Sequence, residues 1–349
     1  MSYAERPQHS NNELNRAGKI LVESKSTSKE YLEAIEKVDQ WRSCHAYPLN
    51  TFQSTLRKKV KKYKGSLVAH RLKRLPTIIN KLSRFETLNL TQMQDIGGIR
   101  AVVSTVKDVR EIQQEYKDSK RFTHALVTEK DYILEPKKDG YRGVHLVYRY
   151  HNTLARNGKA KDFEGLQIEL QIRTQLQHTW ATAVETVGTL KGESFKTGSG
   201  SEKYKMLFGL ASSAFAITEK QPVLAEHQKL KPENIYKKIK KLEKELNFIE
   251  NIKGLRAASQ FIQQEKIGSY YNIVVLDTVN KNIRIIGFSQ DSLKRATKKY
   301  AELEAEADRS KDVVLVSAGK LKDLKKAYPN YFLDVKDFLS KIQAIIDAV

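Results

Sequence analysis

The sequence predicts a mixed β-sheet flanked by helices, an α/β (α+β) fold with a smaller ββαβ unit at its C-terminal end. Three observations predict it. The first 65 residues carry apolar side chains at helical spacing. From about residue 95 the period shortens to strand-like runs rich in β-branched and aromatic residues. After residue 269 two strand-like runs, a helix and a further strand follow in order.

The elements follow in chain order. SKEYLEAIEKVDQWR and TFQSTLRKKVKKYKG predict helices, the second ended by Gly65 and strongly basic toward its end. IRAVVS, HALVT, DYILE, VHLVYRY and LQIELQI predict strands, separated by turn signals such as KKDG and RNGK. TQLQHTWATAVETVGTL predicts a helix, and GESFKTGSGSE a Gly/Ser-rich loop. A helix resumes at Lys203, and a long basic helical stretch follows Pro232 as far as Glu265. YYNIVVLD and NIRIIGF predict a hairpin, DSLKRATKKYAELEAEA a helix, DVVLVSA a strand and DVKDFLSKIQAIIDAV a final amphipathic helix. The boundaries are 1–228 for the first domain, 229–268 for a helical linker and 269–349 for the terminal unit with its anchoring helix.

Charge narrows the partners. The 349 residues carry a net charge of +21, which favours a polyanion such as nucleic acid or nucleotides. LRKKVKKYK places Arg57, Lys58, Lys59, Lys61, Lys62 and Lys64 within nine residues, enough to follow the phosphate backbone of a nucleic acid. No apolar run approaches the ~20 residues of a membrane span, so no membrane partner is expected. One cysteine, Cys44, excludes an intramolecular disulfide, and a cytoplasmic setting is expected. No Cys or His follows His227, which excludes a Cys/His zinc site in the last third.

Four clusters carry candidate chemistry. In LQIELQIRT, Gln167, Glu169, Gln171 and Arg173 share one strand face opposite Leu166, Ile168, Leu170 and Ile172. In KKDGYRGVH, Asp139-Gly140 makes a turn, and Tyr141, Gly143 and His145 share a strand face that suits a flat ligand. In HRLKRLPTIINK, extended backbone puts Arg71 and Lys73 on one side. Pro76 suits a helix's first turn, with Thr77 and Lys81 one turn apart, and this set suits a polyphosphate. In QDIGGIRAVVS, Asp95 precedes a Gly-Gly junction and Arg100 opens a buried strand. Asp95 and Glu169 are the acids best placed to hold Mg2+ beside phosphates. The plain alternatives are a solvated strand face, core aromatics, a solvated basic helix and a turn aspartate. No GxxxxGK[ST] loop is present, so side chains would have to hold a nucleotide's phosphates.

These clusters resemble the synthetase domain of the RelA/SpoT family, which has a nucleotidyltransferase-like mixed sheet. RLKRLPTIINK is similar to its R-x-K-x(3)-S-x(3)-K, DIGGIR to D-I-x-G-x-R, GYRGVH to G-Y-R-S-x-H and ELQIRT to E-x-Q-I-R-T. Thr77 and Gly143 stand where the family has Ser. The resemblance implies pyrophosphate transfer from ATP to a nucleotide 3′-hydroxyl, with catalytic and metal-holding Asp95 and Glu169. Arg71 and Arg100 would clamp adenine. Lys73, Thr77 and Lys81 would hold the ATP phosphates. Tyr141 would stack on the acceptor base, with His145, Gln171 and Arg173 beside it, and Glu169 is the residue offered for deprotonating the hydroxyl.

WRSCHAYPLNTFQSTLRKK and VVLVSAGKLKDLKKAYPNYFLD further resemble the CapRel type of fused toxin–antitoxin, which ends in a pseudo-zinc-finger domain. That resemblance implies a self-inhibited anti-phage enzyme that pyrophosphorylates the tRNA CCA end and blocks translation. A phage capsid protein would release it, and Tyr328 and Tyr331 would form its inhibitory YxxY. Turn chemistry alone reads Tyr328-Pro-Asn-Tyr331 as a turn whose rings complete a small core. Two alternatives stand beside the tRNA reading. One is a (p)ppGpp or (p)ppApp synthetase with a free nucleotide acceptor. The other is a basic RNA-binding module without catalysis.

Overall fold

The computed structural model describes residues 5–24, 28–151, 158–191, 201–257, 261–266, 271–277, 279–280, 282–289, 292–306, 311–317 and 334–349. Three helices open the chain: α1 (Asn11–Glu23), α2 (Lys29–Cys44) and α3 (Ala46–Val60). The chain continues with β1 (Leu67–Leu72), α4 (Leu75–Arg84), β2 (Gly97–Val103), α5 (Val106–Lys117), β3 (Ala125–Asp131), β4 (Val144–Arg149), β5 (Gln167–Thr174), α6 (Gln175–Lys191) and α7 (Glu202–Thr218). Then come α8 (Pro232–Leu246), α9 (Phe248–Ala257), β6 (Phe261–Lys266), β7 (Tyr271–Asp277), β8 (Asn282–Phe288), α10 (Leu293–Ala305), β9 (Lys311–Ser317) and α11 (Lys336–Asp347).

Among the described residues the strands form one nine-stranded mixed sheet in the order β3-β4-β5-β2-β1-β9-β7-β8-β6. β2 pairs parallel with β5, and β6 pairs parallel with β8. The expected terminal unit is therefore not separated from the first sheet: β9 lies beside β1 and continues it. β1 pairs with β2 along its whole length, and among the described residues its register with β9 includes the pair Arg71–Val316.

Strand alternation gives the sheet two unlike faces. On the back, Ile99, Ala101, Ile168, Leu170 and Ile172 pack with Phe52, Leu56 and Val60 of α3 and Val109 and Ile112 of α5. On the front, Arg71, Arg100, Glu169 and Gln171 line a cleft. Beyond β1 the front turns apolar: Ala69, Val274, Leu276, Val314 and Val316 cluster, with Leu190 of α6 packed against them. α11 anchors on α6 and α8 by burying Phe338, Leu339 and Ile342 in the helical core.

Several expectations change. DYILE is a turn: Asp131 Oδ1 accepts from the Ile133 and Leu134 amides at 3.0 and 3.2 Å, which ends β3 at Asp131. The stretch after Pro232 is two helices, because Asn247 adopts a left-handed φ of 44° between them, and its end is the strand β6. Arg100 lies in the middle of β2, which begins at Gly97. Tyr328 and Tyr331 lie outside the described residues.

Candidate active site

The cleft encloses about 110 Å³ and is lined by Arg71, Lys73, Asp95, Arg100, Glu169 and Gln171, among others. β1, β2 and β5 set the arrangement, because their paired residues project to one face. Arg71 pairs with Gly98, Gly98 with Glu169, and Arg100 with Gln171. α4 lies beside the cleft without lining it: Pro76 is in its first turn as expected, Thr77 comes one turn before Lys81, and Lys81 reaches the site through Asp95.

Asp95 joins the two lysines of this group. Its Oδ2 accepts from Lys73 Nζ at 2.8 Å and its Oδ1 from Lys81 Nζ at 3.0 Å. Burial works against the charge on Asp95, but Lys73 and Lys81 outweigh it and hold the carboxyl below its ordinary value. Burial pulls Lys73 down, an effect that Asp95 only partly offsets. Arg100 is pushed down to about 10 by burial first, then by the like charges of Arg173 and Arg71. The cleft thus holds cations in mutual repulsion, a state that a polyanionic ligand relieves.

A closed polar circuit borders this group. Tyr141 O–H donates to His145 Nε2 at 2.5 Å, and His145 Nδ1–H donates to Glu169 Oε1 at 2.8 Å. This direction follows from the carboxylate being an acceptor only. Gln171 Nε2 donates to Glu169 Oε2 at 2.7 Å, and Arg173 donates to Gln171 Oε1 at 2.6 Å. The Arg173 guanidinium then lies over the Tyr141 ring, 4.8 Å from its centroid. Burial opposes ionisation of Glu169, yet the His145 and Gln171 hydrogen bonds bring it down to about 2. Burial pulls His145 down as well, so we assign a neutral imidazole beside an ionised carboxylate. The Glu169 carboxylate is thus held ionised, with both oxygens engaged by His145 and Gln171. Burial pushes the Tyr141 phenol up to about 12.

The acceptor-side expectation needs adjustment. Tyr141 and His145 do meet, but not on one strand face, since β4 begins only at Val144. Gly143 has a φ of +148°, and a Cβ there would lie 3.1 Å from Arg173 Cγ. Glycine at this position is what allows Arg173 to settle over Tyr141. Tyr141 is only 7% exposed, with the Lys137 ammonium also 5.0 Å from its centroid. A base stacks on Tyr141 only after one of these cations moves.

The basic patch lies elsewhere. α3 packs on the back of the sheet, across from the cleft. Lys59 and Lys62 are both drawn to Glu115, Lys62 at 2.5 Å, while Arg57, Lys58, Lys61 and Lys64 are exposed. Cys44 is buried, its thiol pushed up to about 12 by that burial, which leaves it unreactive. Sequence reasoning missed Lys137, whose place beside Tyr141 follows from the Asp139-Gly140 turn, and Glu304, which no local pattern marks.

Residues 70–189 match the family model described as "Region found in RelA / SpoT proteins". The chain therefore carries such a region, and all four motifs lie within it. Two curated relatives from Bacillus subtilis (strain 168) are 31% identical. "GTP pyrophosphokinase YjbM" matches over 150 residues, 42% of this chain and 65% of the relative. "GTP pyrophosphokinase YwaC" matches over 117 residues, 32% of this chain and 52% of the relative. The chain thus spans between half and two thirds of their length. Among solved structures, the small alarmone synthetase 1 from Bacillus subtilis bound to its product pppGpp aligns with a TM-score of 0.44 and 23% identity, covering 52% of this chain and 92% of that one. A GTP pyrophosphokinase family protein from Streptococcus pneumoniae aligns with a TM-score of 0.43 and 20% identity, covering 61% and 98%. No helix of the described residues is long and apolar enough to cross a membrane.

Proposed function

We propose that the protein is an ATP-dependent pyrophosphokinase whose acceptor is the 3′-hydroxyl of a free purine nucleotide. The observation that carries this reading is the front-face cleft, where Arg71, Lys73 and Arg100 surround Asp95 and Glu169. The names of the curated relatives agree with it. In the reaction the acceptor oxygen attacks the β-phosphorus of ATP and the α–β bridging P–O bond breaks. AMP leaves, the hydroxyl proton passes to solvent or buffer, and the β,γ-pyrophosphate ends on the acceptor.

Arg71 and Arg100 hold the donor, and Lys73, Thr77 and Lys81 hold its phosphates. As the triphosphate enters, it replaces Asp95 as the anion beside the lysines and frees carboxylate oxygens. Asp95 and the ionised Glu169 fit Mg2+, because hard carboxylate oxygens beside phosphate are its usual protein ligands. Bound there, Mg2+ would neutralise charge developing on the phosphates. Glu169 serves as a fixed charge, oriented by His145 and Gln171. The test is incubation of the full chain with β-labelled ATP and GDP, GTP, AMP or bulk tRNA in separate reactions. Label on a free nucleotide, lost in Glu169→Gln, is expected, and no transfer to any acceptor would overturn the reading.

A second reading, a self-inhibited enzyme acting on the tRNA 3′ end and released by a phage capsid protein, draws on two observations. One is the net charge of +21. The other is the pairing of Val316 with Arg71, which brings the chain preceding Tyr328 and Tyr331 beside the donor strand. The basic helix on the back face weighs against it. Its test is growth of cells expressing the full chain or a truncation ending near residue 265. Toxicity only in the truncation supports it, and a folded but harmless truncation counts against it.

A further inference from the structure

α4 carries Thr77 and Lys81, yet it has no cap of its own. Arg74 stands at its N-cap and makes no side-chain cap bond, and Pro76 has no amide hydrogen. Its first amide, Leu75 N–H, donates instead to Glu304 Oε1 at 2.8 Å. Glu304 sits on α10, on the far side of the sequence. Its carboxylate is held on every side: Tyr300 O–H donates to Oε1 at 2.8 Å and Arg42 Nη1 donates to Oε2 at 2.6 Å. The pair is buried, with side chains 2% exposed for Arg42 and 5% for Glu304. Asp39 and the Tyr300 ring, 4.8 Å away, also engage Arg42. Burial alone would lower the guanidinium's pKa, but Tyr300, Glu304 and Asp39 outweigh it and keep the group charged.

Neither Glu304 nor Leu75 lines the ATP cleft. Both line a separate groove behind it, between α2, α4 and α10, of about 920 Å³. Glu304 therefore acts on the donor site through α4. A carboxylate at a helix N-terminus both satisfies the first amide and complements the helix dipole.

We propose that Glu304 is a positioning residue for donor binding, capping α4 from the C-terminal half of the chain so that docked α10 tightens the Thr77–Lys81 grip. The proposal rests on reading α4 as the phosphate grip. It makes the C-terminal part a component of the donor site in its own right, whatever else that part does.

The test uses full-length Glu304→Ala and the gentler Glu304→Asp, which keeps the charge opposite Arg42 but withdraws one methylene from Leu75. Amide exchange over residues 75–78 is measured with the apparent KM for ATP and kcat, and Thr77→Ala serves as reference. Loss of the cap should speed exchange and raise the KM about tenfold in Glu304→Ala and severalfold in Glu304→Asp, with kcat within about twofold. Exchange and KM both unchanged, or exchange faster with KM unchanged while Thr77→Ala raises it, would overturn the proposal alone. If neither Thr77→Ala nor the Glu304 variants alter the dependence on ATP, α4 is no phosphate grip, and the donor reading falls with the proposal.

Discussion

The two halves of the sheet share hydrogen-bonded continuity but differ in what their front faces carry. From β4 to β1 the front presents Arg173, Gln171, Glu169, Arg100 and Arg71, where Arg173 and Arg71 act as like charges on the buried Arg100. From β9 to β8 the same face presents Val314, Val316, Val274, Leu276 and Ile285, closed by their own packing. The first half is built to be completed by an anion, and the second is already complete. β1 belongs to both, with Ala69 in the apolar cluster and Arg71 in the cleft. A buried polar face is costly unless every group is paired, so the charged half marks function and the apolar half marks stability.

The contrast can be broken at several points. The largest effect should come from Asp95→Asn, which leaves Lys73 and Lys81 unbalanced and, on the proposed function, removes an oxygen offered to Mg2+. Transfer from labelled ATP should fall by about a hundredfold to a thousandfold, with little change in thermal midpoint. The opposite profile is expected from Arg42→Ala, which strands the Glu304 carboxylate at the joint. Urea unfolding should show a loss of about 3–5 kcal/mol. Gly143→Ala sharpens the boundary of the charged half. Its φ and the 3.1 Å approach to Arg173 Cγ should cost about 1–3 kcal/mol and raise the acceptor KM more than the ATP KM.

Acidification probes the apolar back face through His45, which burial lowers to about 4 although its hydrogen bond to the Trp41 carbonyl opposes that. The unfolded chain binds this proton more readily, so stability is retained above pH 6.5 and declines as pH falls toward 4. His45→Gln should flatten that decline in unfolding titrations. The smallest effect should follow reversal of Lys61 and Lys64 to Glu. Exposed in the turn after α3 and absent from the cleft lining, these should leave transfer to GDP within about twofold, and a selective loss with tRNA would favour the second reading.

Much of the charged half was legible because strand periodicity alone puts Glu169, Gln171 and Arg173 on one face. Pro76 located the start of α4, which fixed Thr77 and Lys81 together. The apolar half was legible as strands but not as part of the same sheet. Whether β9 pairs with β1 is decided by long-range packing of Val316 and Leu190, which no local pattern encodes. DYILE misleads for a related reason: its residues favour strand, but Asp131 binds two following amides and competes successfully for the backbone. The covered state of Tyr141 was hidden too, since it depends on where Arg173 and Lys137 come to rest around Gly143.

The joint between β1 and β9 has a consequence for how such a chain can be recombined. Where two sheets are joined by a long ladder, exchanging one half demands that an entire strand match its new neighbour. Here the described part of the joint adds the buried contacts of Arg42, Tyr300 and Glu304 to the Arg71–Val316 pair, so a replacement would have to match side chains as well as backbone. A foreign strand–helix–strand unit that supplies a tyrosine and a glutamate one helical turn apart would meet the same socket. The place beside β1, in the interior of the sheet, is thus keyed by side chains as well as by backbone.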